Sequence, residues 1–265
     1  PEPGEFGDDT WSGDSWKTGG SATWITGAYD PDLNLIYWGT GNPGPDWNGD
    51  VRLGDNLYSD SALALNGDTG EIDWYFQFTP HDVHDWDAIQ VPILADLNID
   101  GQDRRVMMWA NRNAFFYSID AADGEFLKAS PFATQTWAQG LDANGRPVRV
   151  PGMAPTYEGI MVSPPITGGT NWYSPGFSPD TGLFYVTAFD GEQVFFKRDE
   201  DYEEGERYTG GGGRYDRPMD AFKSWIRAVD PTTTETVWEF PICLLYTSQS
   251  PRDATLSRMP SAALK

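Results

Sequence analysis

The chain has 265 residues and a formal net charge of −22 at pH 7, from 18 Lys and Arg against 40 Asp and Glu. This balance argues against nucleic-acid binding, which needs a basic surface, and no stretch approaches the roughly 18 consecutive apolar residues of a membrane span. Abundant Gly (29), Pro (20) and aromatic residues predict an all-β fold of short strands joined by tight turns.

Two kinds of hairpin recur along the chain. In the first, an aromatic residue, Asp or Ser, Pro and Asp precede an apolar strand, as at 29–38 and 177–186. In the second, two strands flank an Asp-, Gly- or Thr-containing turn and the second strand carries an aromatic residue, as at 61–74, 117–126 and 226–238. A hairpin cannot bury its own face, so we expect pairs of hairpins to form three to four blades of a propeller. A β-sandwich is the alternative, which the Trp-containing repeat disfavours.

Three other segments give weaker signals. Residues 131–165 hold few strand signals and several Pro, so we expect a long loop. Residues 199–217 are acidic and then glycine-rich, which favours a linker over a phosphate-binding loop. Residues 96–101 mimic the start of an EF-hand loop, but Met107 stands where the closing glutamate belongs, so a hairpin turn is expected.

The densest group of titratable side chains lies between residues 79 and 87. Asp85 and Asp87 are two positions apart, and on an extended segment such side chains share one face. Both carboxylates would then point at one centre, which indicates a metal or acid–base site. In the alternative interpretation, His81 and Asp82 only cap turns through side-chain-to-backbone hydrogen bonds.

Four further segments carry residues suited to binding. Asn42 lies in a Gly-Thr-Gly-Asn-Pro loop and offers a neutral oxygen to a hard cation, although the loop is also typical of an ordinary turn. Trp24 ends a glycine-rich segment, Arg112 follows an apolar strand within Asn-Arg-Asn, and Asn171 lies in Gly-Gly-Thr-Asn-Trp.

In this order and spacing, the five segments closely resemble the quinoprotein methanol and ethanol dehydrogenases over residues 11–242. The resemblance implies a partial arc of an eight-bladed β-propeller with Trp-containing repeats. It also implies pyrroloquinoline quinone (PQQ) as cofactor, with a metal ion beside it.

The family's site roles fall on six positions of this chain. The resemblance implies that Trp24 forms the floor under the flat quinone, that Arg112 hydrogen-bonds the quinone oxygens, and that Asn171 contacts the far edge of the cofactor. It further implies that Asp85 is the catalytic base. The metal ligands would be Asn42, Asp85 and Asp87.

The implied reaction is oxidation of a primary alcohol of the methanol or ethanol class to the aldehyde. The metal ion acts as a Lewis acid on the quinone, Asp85 takes the hydroxyl proton, and a hydride passes to PQQ. Electrons then pass to a soluble cytochrome c, and the family location is the periplasm. The chain has no Cys-x-x-Cys-His motif, so no haem is expected within it.

Asp87 bears on the identity of the metal. Calcium-dependent members of the family generally have a small residue two positions after the catalytic aspartate, and lanthanide-dependent members have a second aspartate there. The sequence Asp85-Trp86-Asp87 therefore favours a lanthanide over calcium. The family usually has Tyr at the position of Trp86 and Trp at that of His84, which leaves the substrate preference open.

The resemblance also implies that parts of the family fold lie outside this chain. A metal-ligating glutamate, a disulfide between adjacent cysteines and several cofactor contacts come from blades before Trp11, and further blades follow Ile242. We therefore expect this 265-residue chain to be inactive alone. Residues 243–265 lose the acidic composition and the strand period, and are interpreted as a non-native read-through tail.

Two functions of other classes stay open at this point. One is a non-catalytic propeller scaffold that binds proteins, which would not need the five site segments. The other is a quinoprotein that oxidises sugars instead of alcohols. The sequence does not indicate the oligomeric state, so a homodimer is also left open.

Overall fold

The computed structural model describes residues 1–216 and 222–242, so the predicted tail at 243–265 lies outside the described residues. Helix is limited there to single 3-10 turns at Asp8–Thr10, Ser15–Thr18 and Gly49–Val51. No helix in these ranges is long and apolar enough to cross a membrane.

The first two blades are four-stranded antiparallel sheets with strands in sequence order. The first blade contains β1 (Ala28–Asp30), β2 (Leu35–Gly39), β3 (Ser61–Asn66) and β4 (Ile72–Gln77). The second contains β5 (Ile93–Ile99), β6 (Gln102–Ala110), β7 (Phe115–Asp120) and β8 (Phe126–Pro131).

The third blade is interrupted by an insertion. A hairpin of β9 (Ala138–Leu141) and β10 (Pro147–Arg149), followed by β11 (Ile160–Val162), precedes it. The blade itself contains β12 (Gly176–Ser178), β13 (Leu183–Asp190), β16 (Lys223–Val229) and β17 (Thr236–Ile242). Between its second and third strands lie β14 (Gln193–Lys197) and β15 (Gly211–Arg214), which form a separate sheet with β11.

The predicted all-β propeller arc is confirmed, and the five predicted hairpins are all present as antiparallel strand pairs. The segment at 96–101 is the turn of a sixth hairpin, between β5 and β6, and not an EF-hand loop. The turns share one chemistry, in which a carboxylate or amide oxygen accepts backbone N–H groups two residues further on. Asn66 accepts from Asp68, Asp120 from Ala122, and Asp230 from Thr232.

The Trp of the repeat joins one blade to the next. Trp74 Nε1 donates to the carbonyl of Ala121, 3.2 Å away in the turn of the second blade, and the Tyr37 hydroxyl donates to the same oxygen at 2.9 Å. The indole also lies over Gly124, where an added Cβ would be 2.6 Å from the ring. Gly124 has a φ of +78°, so glycine meets both the backbone and the packing requirement.

Strand β6 supplies both cores of the arc, because adjacent side chains of a strand point to opposite faces. Met107 and Trp109 pack into the core between the first and second blades. Val106 and Met108 pack into the core between the second and third blades, against Phe184 of β13 and its neighbours. All four β6 side chains are fully buried.

The predicted long loop at 131–165 and linker at 199–217 are only partly correct, since both segments contain short strands. Pro147 and Val148 pair with β9, and the glycine run forms β15 against β14. The apolar packing there comes from β14, whose Phe195 is fully buried, so β15 needs only backbone groups. Glycine has low strand propensity, which is why composition alone did not indicate a strand.

Candidate active site

The candidate residues come together because of the blade topology. In a four-stranded antiparallel blade, the loop between the second and third strands and the link to the next blade emerge at the same end. Asn42 lies in the β2–β3 loop, Asp85 and Asp87 in the β4–β5 link, and Arg112 in the β6–β7 turn. The four side chains therefore meet at one end of the first two blades.

Asp87 is the centre of this group. Its Oδ2 lies 2.6 Å from Arg112 Nη1, and its Oδ1 accepts the backbone N–H of Asn42 at 2.7 Å. Arg112 Nη2 donates to the Ile166 carbonyl, which fixes the other side of the guanidinium. The backbone also links these loops, because Ala88 N donates to the carbonyl of Thr40 at 3.0 Å.

Asp85 is held differently. Its φ of +62° is in the left-handed region, and its Oδ1 is 3.7 Å from Arg112 Nη2. Burial raises the pKa of Asp85 to about 8; Arg112 lowers it in part, and the charges of Asp87 and Asp46 add to the increase. Arg112 alone therefore does not keep this carboxyl group ionised at neutral pH, and a bound cation would have to do so.

The turn that presents Asp85 is organised by Asp82. This fully buried carboxylate accepts the backbone N–H of His84 at 3.0 Å and of Trp86 at 2.7 Å. His81 Nδ1 lies 2.8 Å from the Gly54 carbonyl. The turn-capping interpretation is thus confirmed for Asp82, whereas His81 bonds a carbonyl 27 residues earlier in the chain and does not cap its own turn.

Side chains on either side of Asp85 lock the segment to its surroundings. The His84 ring stacks on the Trp86 indole at 4.2 Å between centroids, and its Nε2 lies 3.0 Å from the Met153 carbonyl. Trp86 Nε1 donates to the Pro165 carbonyl at 3.0 Å. Burial lowers the pKa of His84 to about 3, so the imidazole is neutral at physiological pH.

Three charged residues near the site were not identified from the sequence. Arg52 is fully buried and donates to the carbonyls of Pro45 and Asp82. Asp46 Oδ1 accepts from Asn42 Nδ2 at 3.0 Å, and burial raises the pKa of Asp46 to about 6. Asp60 is fully buried, and burial with the charges of Asp82 and Asp87 raises its pKa well above the ordinary value. Of these three residues, only Asp46 could have been identified from the sequence, because it lies in the same loop as Asn42.

Trp24 and Asn171 lie near the group without side-chain contact to it. The segment of Trp24 runs beside the Asn42 loop, because Gly41 N donates to the carbonyl of Ala22 at 2.9 Å, and the indole is 48% exposed. Asn171 Nδ2 donates to the Thr167 carbonyl at 2.9 Å within its own loop. That loop reaches Arg112 through its glycines.

The glycines of the Asn171 loop allow this close approach. Gly169 N donates to the carbonyl of Arg112 at 2.9 Å, and a Cβ on Gly168 would lie 2.7 Å from the Arg112 Cβ. Any larger residue at these positions would push the loop away from Arg112. The loop therefore packs closely against the backbone and Cβ of Arg112.

The oxygen atoms present fit a hard cation. Asn42 Oδ1 has no hydrogen-bond partner among the described residues, because the amide nitrogen is the atom turned toward Asp46. Asp85 and Asp87 supply carboxylate oxygens, each with further lone pairs. These are the ligand types of calcium-like ions. Carboxyl groups also outnumber guanidinium groups in this region, where Asp46, Asp60, Asp82, Asp85 and Asp87 surround Arg52 and Arg112.

The site also fits an acceptor-rich, flat cofactor. Arg112 Nε and Thr170 Oγ1 are buried and have no hydrogen-bond partner in residues 1–216 or 222–242. A carbonyl or carboxylate oxygen would satisfy the Arg112 donor, and the exposed Trp24 indole offers an apolar face for a conjugated ring. A quinone with carboxylate groups has both features.

A second acidic group lies away from this site. Asp120, Asp123 and Glu125 have oxygens within 4.8 Å of one another, at the turn between β7 and β8. Arg104 Nη1 donates to Asp120 at 2.8 Å and to Glu125 at 2.5 Å. Arg104 already pairs with two of the three carboxylates, so we interpret this group as a repeat turn and not as a candidate metal centre.

The fold and this site define a propeller protein with a polar, acidic centre at one end of its blades. Residues 1–129 match the family described as "Glucose/ethanol/alcohol dehydrogenase, beta-propeller domain". The chain is 41% identical over 243 residues to "Quinoprotein alcohol dehydrogenase PedH" of Pseudomonas putida, covering 89% of this chain and 40% of that relative. The chain belongs to the quinoprotein alcohol dehydrogenase family.

Further relatives agree. "Lanthanide-dependent methanol dehydrogenase" of Methylorubrum extorquens is 43% identical over 189 residues, covering 69% of this chain and 31% of the relative. The solved structure of a "Europium-containing methanol dehydrogenase" superposes with a TM-score of 0.83 at 34% identity, covering 91% of this chain and 43% of that one. The chain spans 31–43% of the length of these three relatives.

Proposed function

We propose that the protein containing this chain oxidises a primary alcohol of the methanol or ethanol class to the aldehyde, with PQQ and a metal ion. The observation that carries this proposal is the convergence of Asn42, Asp85, Asp87 and Arg112 from three sequence-distant loops at one end of a quinoprotein propeller. When bound, PQQ accepts the hydride of the alcohol, and the metal ion supplies Lewis-acid polarisation.

Asp85 acts as the general base in this proposal. Among the described residues, the Asp85 carboxylate pairs only with Arg112, at 3.7 Å through Oδ1, so at least one oxygen is available to accept the hydroxyl proton of an alcohol. Because burial raises its pKa to about 8, it becomes a base of suitable strength for physiological pH once a cation is near.

Arg112 holds the site together and faces the cofactor. One terminal nitrogen pairs with Asp87, the other is placed between Asp85 and the Ile166 carbonyl, and the buried Nε is still without a partner. We assign this guanidinium to the oxygens of the bound quinone, where a fixed positive charge stabilises developing negative charge. Trp24 and Asn171 are assigned to the face and the far edge of the same cofactor.

For the metal ion, we propose a lanthanide in preference to calcium, held by Asn42, Asp85 and Asp87. Asp87 adds a carboxylate, and a higher density of negative charge favours a trivalent over a divalent ion. Two of the relatives carry lanthanide or europium in their names, which agrees with this assignment for a chain of 34–43% identity. We further propose a cytochrome c as electron acceptor and a periplasmic location.

The test uses the full-length protein, stripped of metal and reconstituted with PQQ and either La³⁺ or Ca²⁺. Dye-linked oxidation of methanol and ethanol is followed for the wild type, Asp85→Asn and Asp87→Ala. We expect activity with La³⁺ in the wild type, none in Asp85→Asn, and a loss of the La³⁺ preference in Asp87→Ala. Asp123→Asn, in the turn between β7 and β8, is the matched control and should behave as wild type.

The other outcomes separate the alternatives. Activity with Ca²⁺ alone would keep the enzyme class and refute Asp87 as a metal-selecting ligand. Oxidation of glucose but not of alcohols would support the sugar-oxidising alternative. No oxidation with either ion, together with no PQQ binding, would support the scaffold alternative.

A further inference from the structure

Asp60 is a buried acid whose side chain is unpaired within the described part of the chain. None of its surface is exposed, and neither carboxylate oxygen has a hydrogen-bond partner among the described residues. Asp30 shows the usual arrangement by contrast. It is equally buried, but it pairs with Arg105 at 2.7 Å and accepts the backbone N–H groups of Asp32 and Leu33. A buried carboxylate normally has such donors, so the state of Asp60 requires an explanation.

The backbone places Asp60 directly behind the proposed metal ligands. Its N–H donates to the carbonyl of Gly41 at 3.0 Å, one residue before Asn42, and its own carbonyl accepts from Phe78 at 2.8 Å. Asp87 lies against the same glycine, since a Cβ on Gly41 would be 2.6 Å from Asp87 Oδ1. Asp60 and Asp87 are therefore attached to neighbouring parts of one loop.

The nearby arginines do not donate to Asp60. Arg52 directs its donors to Asn56 and to the backbone carbonyls of Pro45 and Asp82. Arg112 directs its terminal nitrogens to Asp87 and to a carbonyl. Arg149, whose charge also acts on Asp60, donates to the carbonyls of Pro80 and His81. None of these three arginines donates to Asp60, so a bound cation would add a positive charge where this carboxyl group has no donor.

We propose that Asp60 is an outer carboxylate of the metal centre, which does not bind the ion but is ionised when a cation is bound and then adds negative charge that favours a trivalent over a divalent cation. This rests on the metal site of the proposed function. The Coulomb energy between Asp60 and the ion is proportional to the ion's charge. Removing the charge should therefore lower the logarithms of the La³⁺ and Ca²⁺ binding constants in a ratio of at least three to two.

The experiment measures metal binding and not turnover. Metal-free full-length protein is titrated with Tb³⁺, whose luminescence nearby Trp side chains sensitise, and La³⁺ and Ca²⁺ affinities are obtained by competition. Asp60→Asn is the variant of choice, because Asp60 has a φ of +49° and Asn tolerates that conformation. Loss of an outer-shell partner typically costs 10–100-fold in metal affinity. A loss of about 30-fold for La³⁺ should accompany one of about 10-fold for Ca²⁺.

Asp30→Asn is the matched control. It makes the same chemical change at an equally buried aspartate. Asp30 pairs with Leu35 at the start of β2, whereas the Asn42 loop follows the other end of that strand. It should leave both affinities unchanged. Asp60→Ser removes the charge without adding an amide and should reproduce the losses of Asp60→Asn, which gives a second reading if one variant folds poorly.

Three outcomes would contradict the proposal. Unchanged affinities in both Asp60 variants, or equal fold-losses for La³⁺ and Ca²⁺, would overturn the role of the Asp60 charge and leave the metal centre intact. A lower melting temperature of the metal-free variant without any change in affinity would make Asp60 a structural residue only. Failure of the wild type to bind any of these ions would overturn the metal centre itself.

Discussion

Arg112 and Asp87 form a 2.6 Å ion pair in which the side chains are only 6% and 10% exposed. The pair joins the turn between β6 and β7 to the link between β4 and β5, and so connects the first two blades at the site. Because Asp87 also accepts the backbone N–H of Asn42, one carboxylate sets the positions of two other site residues. Substitutions at this pair should therefore affect geometry as well as charge.

Arg112→Lys should lower kcat by about 100-fold in the full-length enzyme, because the charge remains but the planar fork that spans Asp87 and the Ile166 carbonyl is lost. Steady-state kinetics with PQQ and the preferred ion measure this. Arg104→Lys makes the same change at the repeat turn of the second blade and should leave kcat as in the wild type. Equal kcat values for both variants would refute the role of Arg112.

Metal binding should become tighter as pH rises from 5 to 8. Asp85 has a pKa of about 8 in the metal-free chain, so below that pH a proton must leave before the carboxylate can bind the ion. The apparent association constant should rise at least tenfold per pH unit between pH 6 and 8, because Asp85 must lose a proton, and more steeply below pH 6, where Asp46 is also protonated. Tb³⁺ titrations at each pH measure this slope, and Asp85→Asn should flatten it above pH 6.

Gly124→Ala should destabilise the fold more than Gly70→Ala does. Both glycines have similar left-handed φ values, +78° and +74°, in equivalent repeat turns. A Cβ at Gly70 would meet nothing within 4 Å, whereas one at Gly124 would be 2.6 Å from the Trp74 ring. The backbone cost is common to both, so the difference, about 1–3 kcal/mol, isolates the contact between blades. Chemical denaturation of the two variants measures it, and equal stabilities would contradict the docking of Trp74 on that turn.

His84 should make the fold sensitive to acid. Its pKa falls from 6.5 to about 3 on burial, so below pH 6.5 the unfolded chain binds a proton that the folded chain does not. Above pH 6.5 this group does not lower the free energy of unfolding. Below pH 6.5 the free energy of unfolding falls with the pH, and the loss is about 2 kcal/mol at pH 5. In His84→Gln, the decrease in stability between pH 7 and pH 5 should be smaller than in the wild type by about this amount.

The repeating hairpins were predictable because their information is local. A residue such as Asn66 or Asp120 accepts the N–H groups of its own turn, and the aromatic residue that ends the unit follows at a fixed distance. The loops that carry Asn42, Asp85 and Arg112 were found for the same reason, since each has a recognisable composition of its own. The structure then shows that the topology brings these loops to one end.

The supporting charges were not predictable, because their roles come from contacts between distant segments. Arg52 is buried beneath Asp82, 30 residues further along the chain, and nothing in its neighbouring residues indicates this. Asp60 lies in a segment of mixed polar and apolar residues with no motif, and only the fold reveals that its carboxylate has no hydrogen-bond partner among the described residues. The strand at Gly211–Arg214 was missed because its pairing is determined by β14 and not by its own side chains.

Strand β6 gives the arc two separate reporters at adjacent positions. Met107 belongs to the core between the first and second blades, and Met108 to the core between the second and third. The methyl groups of two consecutive methionines thus sense different inter-blade surfaces. In a methyl-labelled sample, their NMR signals would distinguish loosening between the first and second blades, which the Arg112–Asp87 ion pair connects, from loosening between the second and third blades.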